Sequence, residues 1–236
     1  MKDRRDEERF ESFVAGLPLF RGLSRARRSA LARAALQIRA RRGEAVVQRG
    51  EPIAGVYAVA EGLINVALRS AAGAERVLRF VASGETFAEA AALLGRDSAI
   101  DAVALADSEL ALIPAPALRA MMARDAALSL RVAVLLAERM LKLLAEIEAS
   151  ELRPAGERLA GYLLALACPQ NGRLVALLPA TKTLVASRLG MKKETLSRLL
   201  HDLAGRGLIT VSQREITILD RERLRKAGPP RSRSSR

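Results

Sequence analysis

Between Arg42 and Pro114 the apolar residues fall into short runs with a period of two, and glycine-bearing breaks separate those runs. The runs are Ala45–Gln48, Gly55–Ala60, Leu63–Leu68, Arg76–Val81, Ala99–Ala104 and Glu109–Ile113. The breaks fall at Gly43, Gly50–Pro52, Glu61–Gly62, Ala71–Gly73 and Ser83–Gly84. Many short strands at regular spacing bury themselves as a sandwich or barrel. Beyond Pro114 and Pro116 the period lengthens and one helix is predicted over about 117–150. On it Ala133, Leu136, Met140, Leu143 and Ile147 alternate in steps of three and four, the spacing of a coiled-coil seam. Val132, Leu135 and Leu144 form a second apolar edge beside the seam. The expectation is a partner helix on the seam and the β domain on the edge; the alternative packs all of them on their own domain.

The rest of the chain brackets this core. Residues 1–35 read as helical, interrupted at Pro18 and Gly22. Pro154 suits the first turn of a helix running to about Cys168, and Pro169–Gly172 reads as a loop. Two short helices follow, about Lys182–Leu189 and Lys192–Leu203, then a hairpin of Leu208–Ser212 and Glu215–Leu219 turning at Gln213–Arg214. The chain from Arg221 is rich in Arg, Ser, Gly and Pro and is expected to be disordered. The fold class expected is α+β. Residues 10–115 form a β-rich sensor domain, 116–150 a dimerisation helix, 151–225 a winged helix-turn-helix, and 226–236 a basic tail.

Charge separates the two halves. Residues 151–236 hold 17 Lys/Arg against 7 Asp/Glu, whereas residues 1–150 hold 22 against 19. The positive field therefore lies at the C-terminal end, where it attracts a polyanion. A single cysteine, Cys168, excludes an internal disulfide and any Cys-only zinc or iron–sulfur site within one chain; its expected place is a buried, small apolar position. The charged start of the chain is not a signal peptide, and no apolar run is long enough to span a membrane, so the expected location is the cytoplasm. No nucleophile–base pair or phosphate-loop pattern argues for an enzyme.

The stretch Lys182–His201 carries the strongest functional signal. A helix-turn-helix needs a small residue where its helices touch, a glycine at the turn and apolar inner faces. Ala186 supplies the first and Gly190 the second, while Val185, Leu189, Met191, Leu196 and Leu199 point inward. Glu194, Ser197 and Arg198 then share the opposite face. Arg198 can donate two hydrogen bonds to a guanine in the major groove. Glu194 can accept from a cytosine or adenine amino group, and Ser197 can approach a thymine methyl or a phosphate. Thr181, Lys182, Thr183, Lys192, Lys193 and Thr195 are placed for phosphates, which position a helix without reading sequence. Two alternatives stay open: an exposed helix face with a Glu194–Arg198 pair, and a winged helix used as a protein-interaction module.

At this point the chain resembles the CRP/FNR superfamily of bacterial transcription regulators, over essentially residues 10–225. Lys193–Leu200 (KETLSRLL) is similar to the FNR-type recognition helix, with Glu194, Ser197 and Arg198 matching its base-reading trio. Arg42–Val47 and Gly55–Gly62 resemble the opening of the cyclic-nucleotide-binding β-roll. Thr86–Ala90 and Ile218–Leu224 are closest to the branch of the dissimilatory nitrate respiration regulators. The resemblance implies a double-stranded β-roll of the jelly-roll kind and a homodimer on an inverted repeat close to TTGAT-N4-ATCAA. It also implies activation by contact with RNA polymerase and, for that branch, nitric oxide sensing through haem.

The sensor residues weigh against a cyclic nucleotide. Glu89 fits the family's ribose position, but the phosphate pair reads Asp97-Ser98 where Arg-Ser is needed, and an Asp repels phosphate. An FNR-type iron–sulfur cluster needs more thiolates than Cys168 supplies. For haem the only histidine is His201, near the end of the recognition helix and a weak candidate ligand. A haem can instead take a non-histidine ligand or insert in an apolar pocket beside the long helix, and the expected effector pocket is Phe80, Phe87, Glu89, Leu93 and Leu94.

Overall fold

The computed structural model describes residues 4–70 and 73–226, and the chain divides into two compact units after Met140. In the first unit, α1 (Arg4–Gly16), a 3-10 turn at Pro18–Phe20 and α2 (Arg25–Ala34) precede the strands. Ser24 caps α2 by accepting from the Arg27 amide. The strands are β1 (Leu36–Ala40), β2 (Ala45–Val47), β3 (Gly55–Glu61), β4 (Leu63–Arg69), β5 (Glu75–Ala82), β6 (Thr86–Phe87), β7 (Asp101–Ala104) and β8 (Ser108–Pro114). A short helix, α3 (Glu89–Leu94), lies between β6 and β7.

Two four-stranded sheets result, in the orders β1-β8-β3-β6 and β2-β7-β4-β5. Every described pairing in them is antiparallel, and the chain crosses between sheets at each step except the β4–β5 hairpin, which is the jelly-roll order the resemblance implies. β3 shows why the roll forms. Its Tyr57 and Val59 face the second sheet, with Ile64, Val66, Val81 and Leu110 around them. Its Val56 and Ala58 face a second core built on Val14, Phe20, Leu31, Leu118 and Leu128. Both faces are covered, so the strand is apolar throughout rather than alternating. Between β3 and β4, Gly62 has φ +97°, and a Cβ there would lie 2.1 Å from the Ser108 hydroxyl, so only glycine fits.

The predicted single helix is two: α4 (Ala115–Met122) and α5 (Ala126–Leu152). Asp125 makes the break, its carboxylate accepting from the Leu128 amide at 2.9 Å. That bond, with the Arg27 guanidinium beside it, holds the Asp125 carboxyl below the usual range. Val132 of α5 is buried in the helical core, and Leu135 and Leu136 pack against it.

In the second unit, α6 (Ala155–Leu166) leads into β9 (Ala167–Gln170) and β10 (Arg173–Leu177). Then come α7 (Lys182–Arg188), α8 (Lys193–Gly205), β11 (Ile209–Ser212), β12 (Glu215–Ile218) and α9 (Arg221–Arg225). The sheet runs β11-β12-β10-β9, and its core joins Leu159 and Leu163 of α6 to Ala176, Leu196, Leu199 and Ile216. Two expectations are corrected here. Cys168 is exposed, because it sits on the edge strand β9. The segment from Arg221 opens as a helix, capped by Asp220 and anchored by the fully buried Leu224. The remainder of the expected tail, 227–236, lies outside the described residues. No helix among the described residues is long and apolar enough to cross a membrane.

Candidate nucleic-acid interface

α7 begins at a true cap: the Thr181 hydroxyl accepts from the Leu184 amide at 3.4 Å. Its inner face, Val185 and Ala186, is at most 1% exposed, so the small Ala186 sits where two helices meet. The chain then leaves through Gly190 in the left-handed region at φ 64°. The Met191 amide donates back to the Ala186 carbonyl at 3.0 Å, closing the turn.

α8 is divided lengthwise. Leu196, Leu199, Leu200 and Leu203 are buried, whereas Lys193, Glu194, Ser197, Arg198 and His201 are exposed and Thr195 is half-buried. No ion pair joins Glu194 to Arg198 among the described residues, so both side chains face outward uncommitted. The start of α8, at Lys192, has no side-chain cap, which leaves first-turn amides for an anion such as a phosphate. Around it Thr181, Thr183, Lys192 and Lys193 are exposed and Lys182 is half-buried. The β11–β12 hairpin projects as a wing, turning at Gln213 with φ 53°. Sequence reasoning placed Arg214 at that turn but gave it no role: its guanidinium donates to the Leu178 carbonyl at 2.7 and 2.9 Å and anchors the wing.

The exposed apolar stripe on α5 differs from the predicted seam. Leu130, Val134, Ala137, Leu141 and Leu144 face solvent in steps of four and three, flanked by Ala133, Met140, Leu143 and Ile147. Of the predicted seam, Leu136 is corrected: it packs in part on the helical core with Leu135. Leu144, assigned to the domain-facing edge, is 54% exposed instead.

The predicted effector residues are not brought together. Phe87 is buried between the sheets, stacked on Tyr57 with ring centroids 5.0 Å apart. Leu93 packs on the helical core, Leu94 is exposed, and Phe80 is half-buried on β5 opposite Asn65. Glu89 is buried and ion-paired with Arg139 of α5. Arg139 also donates to the Thr86 carbonyl at 2.8 Å and to its hydroxyl at 3.1 Å. The second Glu89 oxygen is buried without a partner among the described residues. Sequence reasoning missed Arg139 because one Arg on a long helix carries no pattern of its own.

Two family models match the chain: a cyclic nucleotide-binding domain over residues 37–125 and a Crp-like helix-turn-helix domain over residues 157–227. The cyclic AMP receptor protein of Thermus thermophilus is 30% identical over 88% of this chain and 97% of its own length. Among solved structures, FixK2 from Bradyrhizobium japonicum has a TM-score of 0.74 at 22% identity, covering 83% of this chain and 98% of that one, a likeness of fold. A protein of Ruegeria pomeroyi described as cyclic nucleotide binding has a TM-score of 0.61 at 28% identity, covering 93% and 97%.

Proposed function

Because the chain belongs to the CRP/FNR family of transcription regulators, we propose that it acts as a homodimer on an inverted repeat close to TTGAT-N4-ATCAA, each α8 lying in one major groove. The observation that carries this reading is the division of α8. Four leucines hold one side in the core while Glu194, Ser197 and Arg198 stand free on the other. Arg198 donates to a guanine, Glu194 accepts from a cytosine or adenine amino group, and Ser197 leaves room for a thymine methyl. An outward carboxylate is repelled by phosphate, so Glu194 is useful only against a base. Thr181, Lys182, Thr183, Lys192, Lys193 and Thr195 hold the backbone, and the apolar stripe of α5 joins the two copies. Fluorescence anisotropy on this repeat and on a scrambled duplex of equal composition tests the reading. Tight, selective binding is expected, and equal binding to both overturns it.

Control enters through the β-roll in this account. Arg139 joins α5 to Glu89 and Thr86, so an effector that competes for Glu89 acts directly on α5. The unpartnered Glu89 oxygen calls for a hydrogen-bond donor on that effector. The residues do not fit a cyclic nucleotide's phosphate. Asp97 is negative, and the buried Ser98 hydroxyl is already bonded to both the amide and the carbonyl of Ile100. For haem, the first unit offers no His or Cys ligand, and both His201 and Cys168 are exposed in the second. Nitric oxide sensing through haem therefore rests on the family resemblance alone, and no step is routed through it. The sign of control, activation by contact with RNA polymerase, rests on the same resemblance; run-off transcription with and without the protein reads it.

A further inference from the structure

We propose that Arg158, with the Glu146–Arg188 ion pair, positions the helix-turn-helix on the end of α5 and so sets which half-site spacing the protein accepts. This rests on the dimeric reading above. The Arg158 guanidinium lies where two helix ends meet. Its Nε donates to the Leu189 carbonyl at 3.0 Å, and Nη2 donates to Gly190 at 3.3 Å. Its Nη1 donates to Arg153 at 2.7 Å and to Ser150 at 3.4 Å. The first two carbonyls belong to the helix-turn-helix turn; of the other two, Ser150 lies in the last turn of α5 and Arg153 directly follows that helix. α5 has no basic residue in its own last turn, so Arg158 supplies the charge and the donors that its end lacks.

A second tie lies beside the first. Glu146 on α5 pairs with Arg188, the last residue of α7, and the two side chains are 33% and 20% exposed. Tyr162, one turn beyond Arg158 on α6, is near enough to feel the Arg188 charge, and burial pushes its hydroxyl up to about 12. The junction is thus partly dehydrated, where an ion pair is held more firmly than on an open surface. Since α7 and α8 pack as one body through Ala186, Val185 and Leu199, fixing α7 to α5 fixes α8 as well. In a dimer joined along α5, slack at this joint lets each recognition helix find its half-site over a wider range of separations.

The test compares full-length wild type with Glu146→Gln, Arg188→Gln and the charge-swapped Glu146→Arg/Arg188→Glu protein. Anisotropy is measured on N4 and N6 versions of the inverted repeat and on a single half-site. Wild type favours N4; in each glutamine variant that preference falls about tenfold, while half-site binding is unchanged. The charge swap restores the preference. Arg158→Ala reduces it too, and Arg158→Lys recovers part of it, since an ammonium reaches fewer of the four carbonyls. The glutamine variants alter partly exposed side chains, so they carry the test even if Arg158→Ala fails to fold. A wild-type preference that the glutamine variants keep, or equal losses on every duplex, overturns the clamp alone. A wild type indifferent to spacing overturns the dimeric reading and the clamp with it.

Discussion

Replacing Leu141 and Leu144 by alanine is expected to dissociate the protein without unfolding it. In a single chain these side chains are 62% and 54% exposed, so truncation removes little from the protomer's own packing. Full burial of a leucine contributes about 1.5–3 kcal/mol, so covering the exposed half is worth about 1 kcal/mol. Two side chains from each of two protomers then give about 4 kcal/mol per dimer, a weakening of roughly 1,000-fold in the dimer Kd. Sedimentation equilibrium over a range of concentrations measures that constant. Urea unfolding of the dilute protein checks that the protomer itself loses no more than about 0.5 kcal/mol. A double variant that dimerises as tightly as wild type refutes the assignment of this stripe to self-association. One that unfolds on its own refutes the claim that the stripe is not needed within the chain.

Three further outcomes follow from the local geometry. Lys193→Ala should weaken binding to all duplexes alike and lower the slope of log K against log salt by about 1, read from anisotropy titrations at several salt concentrations. Ala88, held at φ 65° just before Glu89, should gain about 0.5–1 kcal/mol on replacement by glycine, since relief of the left-handed strain exceeds the added chain entropy; urea midpoints measure it. The Tyr162 hydroxyl is raised by burial from 10.0 to about 12, so its neutral form stabilises the fold fully below pH 10, and that contribution is lost as pH rises through about 12. Tyr162→Phe should flatten this part of the alkaline unfolding curve, followed by circular dichroism.

The legible parts of this fold are those with a strong local signature. Six strands of the roll were readable because of their alternating apolar runs, most of them bounded by glycines, and the α7–α8 pair because Ala186 and Gly190 fix a turn that few other residues permit. β1 alternates cleanly but was missed because no glycine or proline separates it from α2, which ends at Ala34, and β6 because two residues hold no period. β10 was missed because its apolar run, Leu174–Leu177, reads equally well as loop or helix until β12 and β9 pair with it. The break at Asp125 depends on one side-chain cap, a signal too small to overrule the apolar period around it. On α5, spacing located an apolar stripe but not which side of it the core takes, and Leu136 fell on the other side. The ties made by Arg139, Arg158 and Arg214 join residues far apart in the chain, so no sequence pattern announces them.

The most direct measurement is a cycle between Arg198 and the guanine of the TTGAT half-site. Wild-type and Arg198→Ala proteins are titrated against the repeat and against a version with that base pair changed in both halves. The account predicts that either change alone costs about 1–3 kcal/mol per contact, and that the base change costs the variant almost nothing further. If the two losses simply add, Arg198 does not touch that base, and the outward face of α8 is not the surface that reads sequence.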